Sequence, residues 1–157
     1  PLTGDLASGE PPIVEAVAVW IHLDPERRVP SPLSKAEIDL YGSTAGSRRF
    51  PHRLTHPRPE HVESQAQWTF RRTDADLADH INNAAYWEPL EEELLNGALG
   101  GEELTQVEAE VEFRVPAQPG PVTVLRRGPY RWLTEPGDGE VYASTVLARA
   151  ATDAGRP

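Results

Sequence analysis

Residues 106–115, QVEAEVEFRV, alternate without a break. Val107, Ala109, Val111 and Phe113 fall on one side; Glu108, Glu110, Glu112 and Arg114 fall on the other. A period of two predicts a strand with one face on a core and one in water. Such a strand needs neighbours, and the flanking sequence offers them. Ala66, Trp68 and Phe70 alternate with Gln67, Thr69 and Arg71. AQPGP is a turn leading into the strand PVTVLRR, and PYRWL and VYASTVLARA flank the hairpin turn EPGDGE. Between these strands Tyr86, Leu90 and Leu94 recur every fourth residue from Asn83 onward, while Glu91, Glu92 and Glu93 point elsewhere. That spacing predicts a helix, ended by Gly97, Gly100 and Gly101. Pro89 within it predicts a kink, or a tight first turn followed by the main helix. Strand, helix, then three or four antiparallel strands is an α+β order, with one long helix able to lie across one sheet face.

The N-terminal third reads differently. Ile13, Val17, Val19 and Ile21 face one way with Glu15 among them; Val14, Ala16, Ala18 and Trp20 face the other. Apolar residues on both sides predict a buried strand over 13–23. Nothing before it can pair with it, and the chain starts at Pro1 rather than Met, as expected of a piece of a larger protein. Ser34-Lys35-Ala36-Glu37 has capping-box spacing and predicts a short helix to Tyr41, stopping at Gly42. Residues 42–64 have no period and read as linker. The expected organisation is an end strand and the start of a linker over 1–33, a linker with a short helix over 34–63, a folded domain over 64–150, and a disordered tail over 151–157. A glycine–acid turn leads into an apolar strand near both ends, a faint internal echo.

With 157 residues the chain fits one ordinary domain. No apolar run approaches a membrane span, and no secretory signal is visible. The absence of cysteine removes disulfides, thiolate metal sites and a cysteine nucleophile, and suits a cytoplasmic setting. A formal charge of −10 argues against nucleic acid and anionic membranes as partners. Lys35 is the only lysine, so positive charge is almost all arginine, which suits phosphate and carboxylate contacts. Arg48, Arg49, Arg126 and Arg127 read either as scattered solubilising charge or as a local basic patch. His52, His56 and His61 hint at a metal, but Pro51, Pro57 and Pro59 break any helix that would present them together, so no metal or other cofactor is expected.

The densest chemistry lies in TDADLADHINNAAYW, residues 73–87. Asp74, Asp76, Asp79, His80, Asn82 and Asn83 crowd the approach to the helix. They serve either as caps and loop anchors or as a reaction centre at the positive end of a helix. Free amides there can hold an oxyanion, and a nearby carboxylate can act as base or nucleophile.

WTFRRTDADLADHINNAAYWEPLEEEL resembles the segment of hotdog-fold thioesterases in which a strand runs through D-x-D…H-[VI]-N-N-x-x-Y into the central helix. The closer resemblance is to acyl-ACP thioesterases, whose single chain holds two hotdog repeats. AVAVWIHLDPERRVPSPLSKAEIDLYG is similar to the end of their first repeat and the linker, and VEAEVEFRVPAQPGPVTVL to the strand pair after the helix. The resemblance implies a hotdog fold, here the C-terminal half of a double hotdog, completed by the missing N-terminal repeat or by a homodimer. It implies hydrolysis of acyl-ACP, or acyl-CoA, to release free fatty acid without a cofactor. It implies Asp76 and His80 as catalytic residues, Asn82, Asn83 and Ala84 at the substrate, and Arg48, Arg49, Arg126 and Arg127 as the docking patch for acidic carrier protein. The chain departs from the plant members at Ala78, where they carry asparagine, and at Pro116 and Ala117, where they carry a Glu-Cys pair. Two other readings follow: a hotdog half that binds acyl thioesters or only supports its partner, and a hotdog hydratase. The hydratase loop G-D-x-N-P-x-H is not matched.

Overall fold

The computed structural model describes residues 16–18, 22, 24, 26, 27, 29–45, 53–97, 107–137 and 139–149. The chain divides into two compact units, Pro1–Leu54 and Thr55–Pro157. In the first, helix α1 spans Lys35–Ala45. Its capping box forms as expected: the Ser34 amide donates to Glu37 at 2.7 Å and the Glu37 amide to Ser34 Oγ at 3.3 Å. The helix continues through Gly42 instead of stopping there, because one glycine only weakens a helix by about 1 kcal/mol. Of the strand expected over 13–23, residues 16–18 and 22 are described, and none is in a strand. The end of this segment instead turns back on the residues that follow: the Ser31 amide donates to His22 O at 3.0 Å and the Asp24 amide to Val29 O at 2.9 Å.

The second unit holds five strands: β1 (Ser64–Phe70), β2 (Val107–Phe113), β3 (Gly120–Arg127), β4 (Tyr130–Thr134) and β5 (Val141–Arg149). They form one antiparallel sheet in the order β1-β3-β4-β5-β2. Arg127 pairs with Tyr130 across a two-residue loop, where Gly128 takes a φ of 50° that other residues resist. Helix α2 spans Glu88–Leu95, eight residues, preceded by a single 3-10 turn at Ala85–Trp87. The helix is therefore short, not long. Pro89 sits in its first turn, where a missing N–H costs nothing, and so marks the start of α2 rather than a kink. Asn96 and Gly97 close it, with Gly97 at φ 81°.

The core lies on the α2 side of the sheet. Phe70, Val122, Val124, Leu133 and Ala143 meet Ile81, Ala85 and Tyr86 there, with Trp68 and Val111 packed at the margin. One ion pair reinforces this side: Glu93 of α2 accepts from Arg126 Nε and Arg131 Nε, each at 2.6 Å.

The opposite face carries an unexpected cover. Thr55–Pro57, read from sequence as linker, packs as a strap on the sheet. Trp132 Nε1 donates to Pro57 O at 2.8 Å, and Arg114 Nη2 to His56 O at 2.8 Å. Glu112 alternates with solvent-facing glutamates, yet it is 7% exposed. Its carboxylate accepts from the Thr55 amide, Thr55 Oγ1, the His56 amide and Arg114. Burial alone would raise its pKa, but these donors hold it below the usual range. The stability it contributes is present above the ordinary glutamate pKa and is lost as pH falls through the lowered value. Glu112→Ala leaves these donors unpaired and should lower unfolding free energy by about 3 kcal/mol in urea titrations. Glu112→Gln should cost less near neutral pH and abolish the acid-side dependence. Amide exchange at Thr55 and His56 should accelerate in both variants.

Candidate functional site

From the end of β1 the chain enters a short 3-10 turn, Arg72–Asp74. Asp74 is buried, 5% exposed, and accepts from the Arg71 amide at 2.7 Å and Arg71 Nε at 3.0 Å. Burial opposes its charge, yet the Arg71 side chain and amide hold the carboxyl below its ordinary value. Arg71 also reaches Glu88 at 3.0 Å, so β1 and the start of α2 share one guanidinium. Asp74 is thus a turn anchor.

Residues 75–81 make a tight reversal closed by an Ala75–Ile81 bridge. Asp76 and His80 face each other through their backbones. The Asp76 amide donates to His80 O at 2.8 Å, and Asp76 Oδ1 accepts from the Ala78 amide at 2.8 Å and the His80 amide at 3.4 Å. Asp79 adopts φ 60°, which aspartate tolerates better than most residues. Asp76 Oδ2 and the His80 imidazole make no hydrogen bond among the described residues. Asp76 is exposed and His80 half-buried.

Asn82 fastens the next step. Its amide and Nδ2 both donate to Asp74 O at 2.9 Å. Its Oδ1 accepts from the Ala84 and Ala85 amides at 2.9 and 3.1 Å. This is helix-entry capping, and it occupies two of the amides expected as oxyanion donors. The helical turn starts at Ala85 rather than Asn83. Asn83 and Ala84 are exposed, and the Asn83 amide donates to no described residue. Of the predicted donors, Asn83 N–H is the one left open.

Tyr86 and Ala117 join this loop to the sheet. The Ile81 amide donates to Ala117 O and the Ala117 amide to Tyr86 Oη, both at 3.0 Å. Burial pushes the Tyr86 phenol up, so it remains neutral. Sequence reasoning placed Tyr86 in the core, and it is 2% exposed. The junction itself was missed; the Y of the motif was its one available signal.

Arg126 and Arg127 do not share one face of the sheet. Arg48 and Arg49 lie outside the described residues. Arg126 and Arg127 are consecutive on β3, so they project to opposite faces of the sheet. Arg126 joins Glu93 on the α2 side, whereas Arg127 lies 5.5 Å above the Trp132 ring and donates to Glu60 O. Of the three histidines, His52 lies outside the described residues and His61 is exposed. His56 clusters instead with Glu110 and Glu112, with potential ligand atoms within 4.8 Å of one another. Glu112 is already occupied by Thr55, His56 and Arg114, so the group anchors the strap. Among the described residues no helix is long and apolar enough to cross a membrane.

Residues 58–125 match the family model of the acyl-ACP thioesterase C-terminal domain. Uncharacterised proteins from two strains of Mycobacterium tuberculosis are each 33% identical over 81 residues, covering 50% of this chain and 32% of the relative. The chain thus spans about a third of the curated relatives it matches. Among solved structures, a probable thioesterase from Escherichia coli is 23% identical over 57% of this chain and 84% of its own, with a TM-score of 0.39. A 1,4-dihydroxy-2-naphthoyl-CoA thioesterase from Synechocystis is 12% identical over 55% of this chain and 82% of its own, with a TM-score of 0.40.

Asn82→Ala should lower stability by about 1–2 kcal/mol in urea titrations, through loss of the cap. Asp74 stabilises above its ordinary pKa of 3.8, and this contribution is lost as pH falls through its lowered value. Asp74→Asn should flatten that part of the stability–pH curve.

Proposed function

We propose that this chain is the C-terminal hotdog half of an acyl-thioester hydrolase acting on acyl-ACP, a reading supported by the match of residues 58–125 to the acyl-ACP thioesterase C-terminal domain. The observation that carries this reading is the Asp76–His80 turn. Two backbone amides hold Oδ1 in place, and Oδ2 remains open beside the entry to a helix.

The chemistry follows from those groups. A thioester carbonyl needs polarisation and an aimed nucleophile. Asp76 Oδ2 takes a proton from water as the water oxygen attacks the carbonyl carbon. The carbonyl oxygen becomes an oxyanion, held by the Asn83 amide at the helix entry. Collapse of that intermediate breaks the carbon–sulfur bond, and the proton held on Asp76 passes to the departing sulfur, releasing a thiol and a free fatty acid. His80 stands on the same turn, its backbone tied to Asp76, and orients the water. Asn82 shapes the turn and the helix entry, with Ala84 beside it.

Asp76 is exposed in this unit. A second wall is therefore required, supplied by a further hotdog repeat or by a second copy of this domain. Strand β2 pairs with β5 on one side only, which leaves an edge for such a partner. Acyl-CoA is the alternative substrate, favoured by the dispersal of Arg126 and Arg127 to opposite faces. A non-catalytic supporting half is the other reading, favoured by Ala117. It is 0% exposed, and both of its backbone groups are engaged where plant members carry polar side chains.

The test uses the full-length protein with acyl-ACP and acyl-CoA panels, reading free thiol. Asp76→Asn should slow release roughly 10²-fold or more while leaving the urea midpoint close to wild type. Equal rates for wild type and variant would overturn the assignment of Asp76. Acyl binding without turnover would establish the supporting half.

A further inference from the structure

A cavity of about 420 Å³ opens between α2 and the β1 edge of the sheet, away from the Asp76–His80 turn. That volume falls within the ~300–1,000 Å³ range of small-molecule sites. Its apolar wall is Trp68, Pro89 and Val124, and its charged floor is Glu93, Arg126 and Arg131. Arg131 is 6% exposed and Glu93 9% exposed, while the Arg126 side chain is 26% exposed.

The donors there outnumber the acceptors. Two guanidinium groups share the single Glu93 carboxylate, and Glu92 at the rim brings the formal charge of the lining to zero. Arg131 is otherwise satisfied by Gly128 O and Tyr130 O. Arg126 donates only through Nε, and its two terminal nitrogens have no acceptor among the described residues. The Trp68 indole nitrogen is buried and has no partner either. At the rim, Glu92 is the only other acid of the lining, and it accepts from Asn96 Nδ2 at 3.1 Å. Because the Arg126 side chain is partly exposed, its terminal nitrogens are reachable by a ligand that brings acceptors.

We propose that this cavity binds the carboxylate of a fatty acid, with the head on the terminal nitrogens of Arg126 and the chain along Trp68, Pro89 and Val124. The free terminal nitrogens of Arg126 suit a carboxylate, and the apolar wall suits an aliphatic tail. The choice of fatty acid over another amphiphilic carboxylate rests on the proposed hydrolase reading, in which fatty acid is the product. Occupancy then reports product level at a place distinct from the reaction centre.

The test follows the Trp68 indole N–H resonance by ¹H–¹⁵N NMR on the full chain, assigned with Trp68→Phe. Decanoate is titrated below its micellar concentration, with decanol as the uncharged control. Decanoate should shift the resonance saturably and bind more tightly than decanol. Arg126→Gln should weaken decanoate roughly tenfold or more and leave decanol unchanged. No saturable shift, or equal binding of acid and alcohol unaffected by Arg126→Gln, would overturn the site. The titration needs no turnover. Loss of thioesterase activity in Asp76→Asn with a silent cavity would remove this inference alone; a responsive cavity in a protein that hydrolyses nothing would remove only the hydrolase reading.

Discussion

The backbone of Ala117 ties together the three segments on which the polar loop depends. Its carbonyl accepts from Ile81 at the end of the reversal, and its amide donates to Tyr86 at the helix entry. The residue itself lies in the connection between β2 and β3 and is fully buried. Buried backbone groups without partners are costly, so these bonds fix where the Asp76–His80 turn stands relative to the sheet. A larger side chain at 117 would have to displace core neighbours, and a polar one would need a partner inside. The small residue is therefore a structural requirement of this arrangement.

Charge inside the domain follows a consistent pattern. Glu93 and Glu112 are both buried, on opposite sides of the sheet, and each is held by arginine. Glu93 fixes α2 against β3 and β4; Glu112 fixes the strap against β2. Buried ion pairs are weak net stabilisers, because desolvation offsets most of the attraction. They are demanding about geometry, however. With apolar residues at 38% of the chain, directional bonds specify positions that packing alone leaves loose.

The strands were legible because a period of two survives in the sequence wherever one face meets a core. Residues 107–113 became β2, but of its expected core face Val107, Ala109 and Phe113 are exposed and Val111 alone packs at the core margin; Trp68 and Phe70 turned inward as the alternation requires. The helix was legible in place but not in length, since Leu94 continues the four-residue spacing almost to the point where Asn96 and Gly97 end it. Glu112 was illegible for a different reason. It shares the pattern of Glu108 and Glu110, and only the distant strap over 55–57 removes it from water. Arg126 and Arg127 look like one patch because they are adjacent, yet the alternation that predicted β3 already separates them. At the loop, Asp76, His80 and Asn82 were visible as a cluster. The division of labour among them was not, because it depends on which amide meets which oxygen.

That division bears on the reaction. A carboxylate open to bulk water has its charge screened by a high dielectric. Asp76 stands in that condition in the isolated unit. What the unit supplies is position: a turn locked by the His80 and Ala78 amides, seated on a helix entry capped by Asn82. What it leaves open is the wall that would exclude water and hold the acyl group. The unpaired edge of β2 is the surface on which a second sheet can extend this one without disturbing any buried bond. On the proposed reading, then, hydrolysis belongs to the domain together with the partner that covers Asp76 and excludes bulk water from it.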